Sequence, residues 1–286
     1  MEKSASTEQF LPFTSIKSGA GNEIANDVFC FTVQIVNVCF IGNPDKSSEW
    51  ILIDAGMPDS AESILLEAEK RFGPDHRLKA IVLTHGHFDH VGAVIDLIEK
   101  YKVPVYAHKL EFPYLTGKKN YPKPDPSVEG GLVAKMSPLF PNESIDIGEY
   151  LTPLPNDKSV PHMAGWNWVH TPGHTEGHIS LFREDDGTLL AGDAFVTVRQ
   201  DSLYKVITQK QELSGPPRYF TTDWQAAWES VKKLESLHPS VAVTGHGMPM
   251  SGELLRIGLK QLSNEFDKEA IPDFGRYADG QNEKDM

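Results

Sequence analysis

Cysteine is scarce: Cys30 and Cys39 are the 2 present in 286 residues. A framework of several disulfides is thereby excluded, and with it the stapled folds of small secreted domains. If residues 28–41, VFCFTVQIVNVCFI, form one strand, the two sulfurs lie about 30 Å apart, far beyond bridging distance. A hairpin would bring them together, but the run lacks a turn signal. Buried free thiols are the expectation, which suits a reducing compartment. Long apolar runs are missing too. No stretch approaches about 20 uninterrupted apolar residues, and residues 1–19 hold no apolar core of the roughly 7–15 residues that a secretory leader needs. A soluble, cytoplasmic chain with no membrane partner is expected. Positive charge is in short supply: 27 Lys+Arg stand against 40 Asp+Glu, a formal net charge of −13. Such a surface repels nucleic-acid phosphate, and the nearest thing to a basic patch is Lys118, Lys119 and Lys123. Nucleic acid is therefore not expected as a partner.

Against these absences stand β-branched runs at 28–41, 50–54, 80–84, 103–107, 166–171, 177–183, 188–192 and 240–244. Between them lie segments of helical period. Residues 59–72 align Ile64, Leu65, Ala68 and Phe72, and residues 91–101 align Val91, Val94, Ile95 and Ile98. Residues 223–237 align Trp224, Trp228, Val231 and Leu234 as a core face, capped from Thr222 or Asp223. Residues 250–267 align Leu254, Leu255, Gly258 and Leu262. The layout is α/β, with helices covering sheets in one domain over 26–270, after a polar arm at 1–25 and before a tail at 271–286. Residues 109–165 break this rhythm with dense proline. They read as an ordered, irregular, substrate-side loop that buries Tyr114, Leu115, Met136, Leu139 and Phe140.

The chemistry concentrates in VLTHGHFDHVGAV, residues 82–94. His85, His87, Asp89 and His90 follow an apolar run, and alternate side chains on a turning backbone point the same way. Imidazole and carboxylate suit zinc and similar divalent ions. Four residues cannot fill two coordination shells, so further ligands must come from other strand ends. WVHTPGHTEGH offers His174, with His170 and His178 as neighbours. TLLAGDAF offers Asp193, where Gly192 lets the backbone approach closely. VAVTGHGMP offers His246. His76, His108, His162 and His238 read as core-edge or surface residues, His108 being the one placed to line a pocket.

Five motifs in order carry a resemblance: IDAG with Asp54, THGHFDH at 84–90, GHT at 173–175, GDA at 192–194 and GHG at 245–247. Over residues 28–268 the chain resembles the metallo-β-lactamase-fold hydrolase superfamily. The resemblance implies an αβ/βα four-layer sandwich, two mixed β-sheets flanked by helices, with a dinuclear site along one edge. It assigns His85, His87 and His174 to one ion and Asp89, His90 and His246 to the other. Asp193 bridges both, and Asp54 supports ligand orientation. His170 and His178 fall outside the family positions.

All seven donors are His or Asp, which favours zinc while admitting Mn2+, Co2+ or Fe2+. Two such ions can hold a water between them and lower its pKa toward about 7, giving a bridging hydroxide. Asp89 is the catalytic candidate for handling the proton. The expected substrate is a small-molecule ester, lactone, thioester or amide, since His90 with Asp193 departs from typical β-lactam-degrading relatives. Phe195 and Val196 stand where quorum-signal lactonases carry a tyrosine. Arg256, Lys260 and Lys268 are interleaved with Glu253, Glu265, Asp267 and Glu269, unlike the basic extension of glutathione-thioester hydrolases. A mononuclear-iron sulfur dioxygenase, a phosphodiesterase or nuclease of the same fold, and a non-enzymatic metal store remain alternatives. An apolar pocket is expected from Met136, Phe140, Trp166, Phe195, Tyr204 and Tyr219, built by 109–165 and 195–220. Exposed residues around the helices leave a homodimer open.

Overall fold

Strands whose side chains alternate between two apolar faces must be covered on both sides, and that requirement organises the chain. A computed structural model describes residues 15, 17–128, 131–198 and 211–278. The first sheet runs in sequence order: β1 (Gly21–Ala25), β2 (Val28–Val33), β3 (Val36–Ile41), β4 (Glu49–Ile53), β5 (Arg77–Val82), β6 (Val105–Ala107) and β7 (Leu151–Pro153). Its pairing is antiparallel from β1 to β4 and parallel from β4 to β7. Phe40, Leu52 and Ile81 face outward, into a core shared with α1 (Ala61–Phe72), α2 (Phe88–Val91) and α3 (Val94–Tyr101). Their strand neighbours Cys39, Ile41, Ile51, Ile53, Ala80 and Val82 face inward.

The chain then passes through α4 (Phe112–Leu115) and α5 (Gly131–Met136) to a second sheet. Its members are β8 (Ser159–Val160), β9 (Met163–His170), β10 (Ile179–Arg183) and β11 (Thr188–Gly192), with β14 (Val241–Thr244) and β15 (Met250–Ser251), ordered β15-β14-β11-β10-β9-β8. β12 (Val196–Val198) and β13 (Gln211–Ser214) pair separately. Trp166, Trp168, Ile179, Leu181, Leu190 and Val243 meet the inward face of the first sheet. On the opposite face Leu189, Ala191 and Ala242 pack under α6 (Trp224–Glu235), α7 (Gly252–Asn264) and α8 (Phe266–Glu269). The order helix, sheet, sheet, helix is the four-layer sandwich the family resemblance implies. Asp223 caps α6, its side chain accepting from the Ala226 N–H at 2.9 Å.

Several expectations are corrected. Residues 28–41 are a hairpin of β2 and β3, and Cys30 lies directly opposite Cys39. The bend is made by Gln34 at φ 58°, a left-handed conformation that glycine or asparagine usually advertises. Both cysteines are buried free thiols. The arm drawn to residue 25 loses Gly21–Ala25 to the sheet as β1, while residues 1–14 and 16 lie outside the described residues. At the other end Ile271 and Tyr277 pack onto the outer core, and the Arg276 N–H donates to Asp125, so this part of the tail belongs to the domain. Residues 109–165 hold α4, α5, β7, β8 and the start of β9, more regular structure than their prolines suggest. Two helical faces are rotated slightly. Ile95 is exposed and Leu97 buried in α3, and Leu254 is 72% exposed while Leu255, Leu259 and Leu262 fill the core from α7. No helix among the described residues is long and apolar enough to cross a membrane.

The segment that follows β4 is locked to α2 and the residues after it by backbone hydrogen bonds. The Ala55 N–H donates to the His90 carbonyl (2.7 Å), Gly92 N–H to Gly56 (2.8 Å) and Ala93 N–H to Ala55 (3.0 Å). Gly92 has an ordinary helical φ of −55°; it is glycine for space, because a Cβ there would meet the Met57 carbonyl carbon at 2.0 Å and Pro58 N at 2.2 Å. Gly92→Ala is therefore expected to destabilise by about 1–3 kcal/mol or more. Thermal unfolding of the metal-free protein should show a fall of several degrees, and an unchanged Tm would refute the tight approach.

Candidate metal centre

Asp54, the 84–90 turn, His174, Asp193 and His246 follow the carboxyl ends of β4, β5, β9, β11 and β14 in turn. Crevices outside strand carboxyl ends are where α/β sheets place ligands. Donor atoms of His85, His87 and His174 lie within 4.8 Å of one another, as do those of His85, His90 and Asp193, and those of Asp89, His90 and His246. The first and third groups are the two sets named from the sequence. Asp193 joins them: its Oδ2 lies 3.5 Å from His174 Nε2, 3.6 Å from His90 Nε2 and 3.3 Å from His246 Nε2. Asp89 Oδ2 is 3.3 Å from His246 Nε2. All seven are buried.

The nitrogens turned away from this centre are occupied, which fixes the tautomers of four imidazoles. Asp54 accepts from the Thr84 N–H and hydroxyl, both at 2.7 Å, and from His90 Nδ1–H at 2.8 Å. The single Thr84 hydroxyl proton is thus committed to Asp54, so at 3.1 Å Thr84 Oγ1 accepts from His85 Nδ1–H. Thr221 likewise gives its proton to the Pro217 carbonyl and accepts from His174 Nδ1–H at 3.3 Å. His246 Nδ1–H donates to the Ile35 carbonyl at 3.1 Å. In each case Nε2 faces the centre, with its lone pair available once that nitrogen carries no proton, an arrangement typical of metal-ligating histidine. His87 turns the other way, with Nδ1 3.0 Å from His174 Nε2.

Ile35 belongs to the β2–β3 turn, whose neighbour Asn37 grips the His246 loop. Its amide donates to the carbonyls of Thr244 (2.9 Å) and Gly247 (2.6 Å), and its backbone N–H to Gly245 (2.7 Å). Gly245 must be glycine because a Cβ there would stand 2.0 Å from Asp193 Oδ1. His178 Nε2 accepts from the Asp193 N–H at 2.9 Å, and its Nδ1 meets Thr171. It orients Asp193 rather than joining a group. His170 donates to the Glu176 carbonyl and stacks on His108 at 4.3 Å.

A metal fits these residues. His85 Nε2, His90 Nε2 and Asp193 Oδ1 are buried polar atoms with no hydrogen-bond partner among the described residues, and buried atoms of this kind need one. Electrostatics divides the centre. Burial drops His87 to about 4 and, with mutual repulsion among the imidazoles, holds His85 and His174 well below the usual range. Burial acts on His246 too, but Asp193 and Asp89 override it and push its pKa up to about 10. His90 is raised well above its ordinary value against burial by Asp193, Asp54 and Asp89.

Of the expected pocket residues, Phe140 and Tyr219 form an aromatic cluster with Phe220 and Phe88, and Phe220 stacks on His87 at 4.6 Å. Phe195 is instead fully buried in the outer core with Leu189 and Trp224, and Trp166 is buried between the sheets beneath Arg183. Their size and hydrophobicity drew them into packing. Met136 is half-buried on α5, and Tyr204 lies outside the described residues. Sequence reasoning missed Thr84, Thr221, Ile35, Asn37, Glu111, Tyr121 and Phe220. Thr84, inside THGHFDH, and Phe220, beside Tyr219, stood next to recognised positions; the rest carried no signal.

With raised pKa values, His90 and His246 keep their protons at neutral pH in the absence of metal. A divalent ion must displace them, so uptake near pH 7 is expected to release protons and to tighten as pH rises. Calorimetric titration in buffers of different ionisation enthalpy counts the protons; uptake with none released would contradict this charge distribution.

Residues 31–246 match the family model described as the metallo-beta-lactamase superfamily. The chain is 53% identical over 258 residues to the probable metallo-hydrolase YflN of Bacillus subtilis (strain 168), covering 90% of this chain and 98% of that protein. Among solved structures it is similar to TTHA1623 in a di-iron-bound form, at 27% identity and a TM-score of 0.50, covering 81% of this chain and 94% of that one. It is also similar to the BLEG-1 B3 metallo-beta-lactamase, at 25% identity and a TM-score of 0.52, covering 81% and 93%. Sequence motifs, fold and the convergence of the His and Asp side chains agree with these matches, and the chain belongs to the metallo-β-lactamase superfamily.

Proposed function

We propose that this protein is a metal-dependent hydrolase that holds two divalent ions and cleaves a small-molecule ester, lactone, thioester or amide. The observation that carries the proposal is the place of Asp193 Oδ2, within 3.6 Å of imidazoles from both ligand groups. One carboxylate oxygen shared in this way is suited to a pair of cations. Bound there, the ions would supply an acidified water as nucleophile and a Lewis-acidic contact for the substrate's carbonyl oxygen.

The chain's own residues do the rest. His85, His87 and His174 would hold one ion, Asp89, His90 and His246 the other, with Asp193 between them. Asp54 and Thr84 keep His85 and His90 aimed inward. Asp89 is one ligand of the second group and also the carboxylate we assign to carrying the proton as the bond breaks. Phe220, stacked on His87, and Phe88 and Phe140 beside it give an apolar wall for the substrate. The donors admit zinc, manganese, cobalt or iron, and the di-iron form of the solved relative keeps iron beside zinc for this chain. The acidic surface and the paired free thiols favour a small molecule as substrate and the cytoplasm as the place of action.

A panel of lactones, esters, thioesters and β-lactams, assayed with each metal, identifies the preferred bond. Chelation should abolish turnover and restored metal should recover it. Asp193→Ala is expected to lower kcat/KM by about a thousand-fold or more while the circular dichroism spectrum is kept. Activity surviving in a rigorously metal-free sample would refute the mechanism.

A further inference from the structure

Glu111 is fully buried at the end of the turn Lys109–Glu111, and no ion pair to its carboxylate is formed among the described residues. It accepts four hydrogen bonds instead. Oε2 takes the Gly86 N–H (3.0 Å) and the Tyr121 hydroxyl. Oε1 takes the Thr175 hydroxyl (2.7 Å) and the Gly177 N–H (2.9 Å). Gly86 sits between His85 and His87, and Thr175 directly follows His174. One carboxylate therefore ties together the two loops that carry all three histidines of the first group. The space is shaped for it: a Cβ at Gly177 would meet Glu111 Oε1 at 2.6 Å. Tyr121 extends the tie, its ring lying 4.5 Å from that of His87.

We infer that Glu111 is a positioning residue whose carboxylate sets the spacing of the His85–His87 and His174 loops for one cation, with Tyr121 seating His87. A carboxylate buried with no cation beside it is costly even when hydrogen-bonded, and a tie that served packing alone would not require the charge. Beside a bound dication the charge becomes favourable. Glutamine cannot replace it. An amide offers one acceptor oxygen, so its NH2 would face the fixed backbone N–H of Gly86 or of Gly177, a donor it cannot pair, and loosen that loop.

The inference rests on the reading that these histidines bind metal, and cobalt titration separates the two. Metal-free wild type, Glu111→Gln and Tyr121→Phe are titrated with Co2+, following d–d absorption and the bound equivalents by native mass spectrometry, with thermal unfolding of each metal-free form alongside. Glu111→Gln is expected to weaken one bound equivalent by about 10–100-fold and to change its d–d band, beyond any loss of metal-free Tm. Tyr121→Phe, which keeps the carboxylate, should show the low end of that weakening, and it carries the test if Glu111→Gln does not fold. Full cobalt loading with wild-type affinity and spectrum in the folded variant, even with a lowered Tm, would overturn the positioning role. Failure of the wild type itself to bind Co2+ would instead overturn the metal reading beneath it.

Discussion

Asp193 Oδ2 is pressed against imidazoles from three different loops, at 3.3, 3.5 and 3.6 Å, in a space closed to solvent. Burying a carboxylate without compensation costs several kcal/mol, so this crowding is tolerable only with positive charge at its centre. Without metal the compensation comes from protons on His90 and His246, held by Asp193, Asp89 and Asp54. The other three imidazoles stay neutral because burial is not answered by enough negative charge. The two halves of the centre thus present different surroundings to a cation. One is imidazole-rich and already deprotonated; the other is carboxylate-rich and must exchange protons.

Around this core, His90, His174 and His246 are oriented by partners from other parts of the chain, and His85 by the adjacent Thr84. Asp54 and Thr84 tie β4 to β5, Thr221 reaches His174 from the loop before α6, and Ile35 reaches His246 from the β2–β3 turn. The partners are one backbone carbonyl, two threonine hydroxyls and one carboxylate. The hydroxyls and the carbonyl lock a ring orientation while adding little charge, whereas Asp54 also adds negative charge that favours protonated His90. His178 does the same for the Asp193 backbone. The geometry is over-determined, so small shifts of a single loop are resisted by the others.

The candidate metal-binding side chains were legible because they cluster: H-x-H-x-D-H has few structural explanations, and the three distant motifs repeat one pattern of a strand followed by a small residue and a His or Asp. The layers were legible from the alternation of apolar residues. What escaped was held by long-range contacts. Gln34 takes a left-handed bend without the usual residue for it, and its neighbour's carbonyl is the partner of His246; local turn rules fail where the backbone serves the site. Glu111 and Asn37 looked like ordinary polar residues because their partners lie far away in sequence. Phe195 and Trp166 show the converse: an aromatic near a motif was read as pocket lining, although filling the core is the commoner fate of such residues.

The contact of His246 with Ile35 spans 211 positions, and the grip of Asn37 on Gly247 spans 210. Closing so large a loop adds only slowly to the entropic cost, but contacts of such separation come late in folding. During synthesis the first hairpin emerges long before the loop it must hold. A nascent chain can present His85, His87 and His90 together while the carboxylate-rich half still lacks its last imidazole. Completion of that half then reports that both sheets have docked, so the seven side chains converge only at the end of assembly.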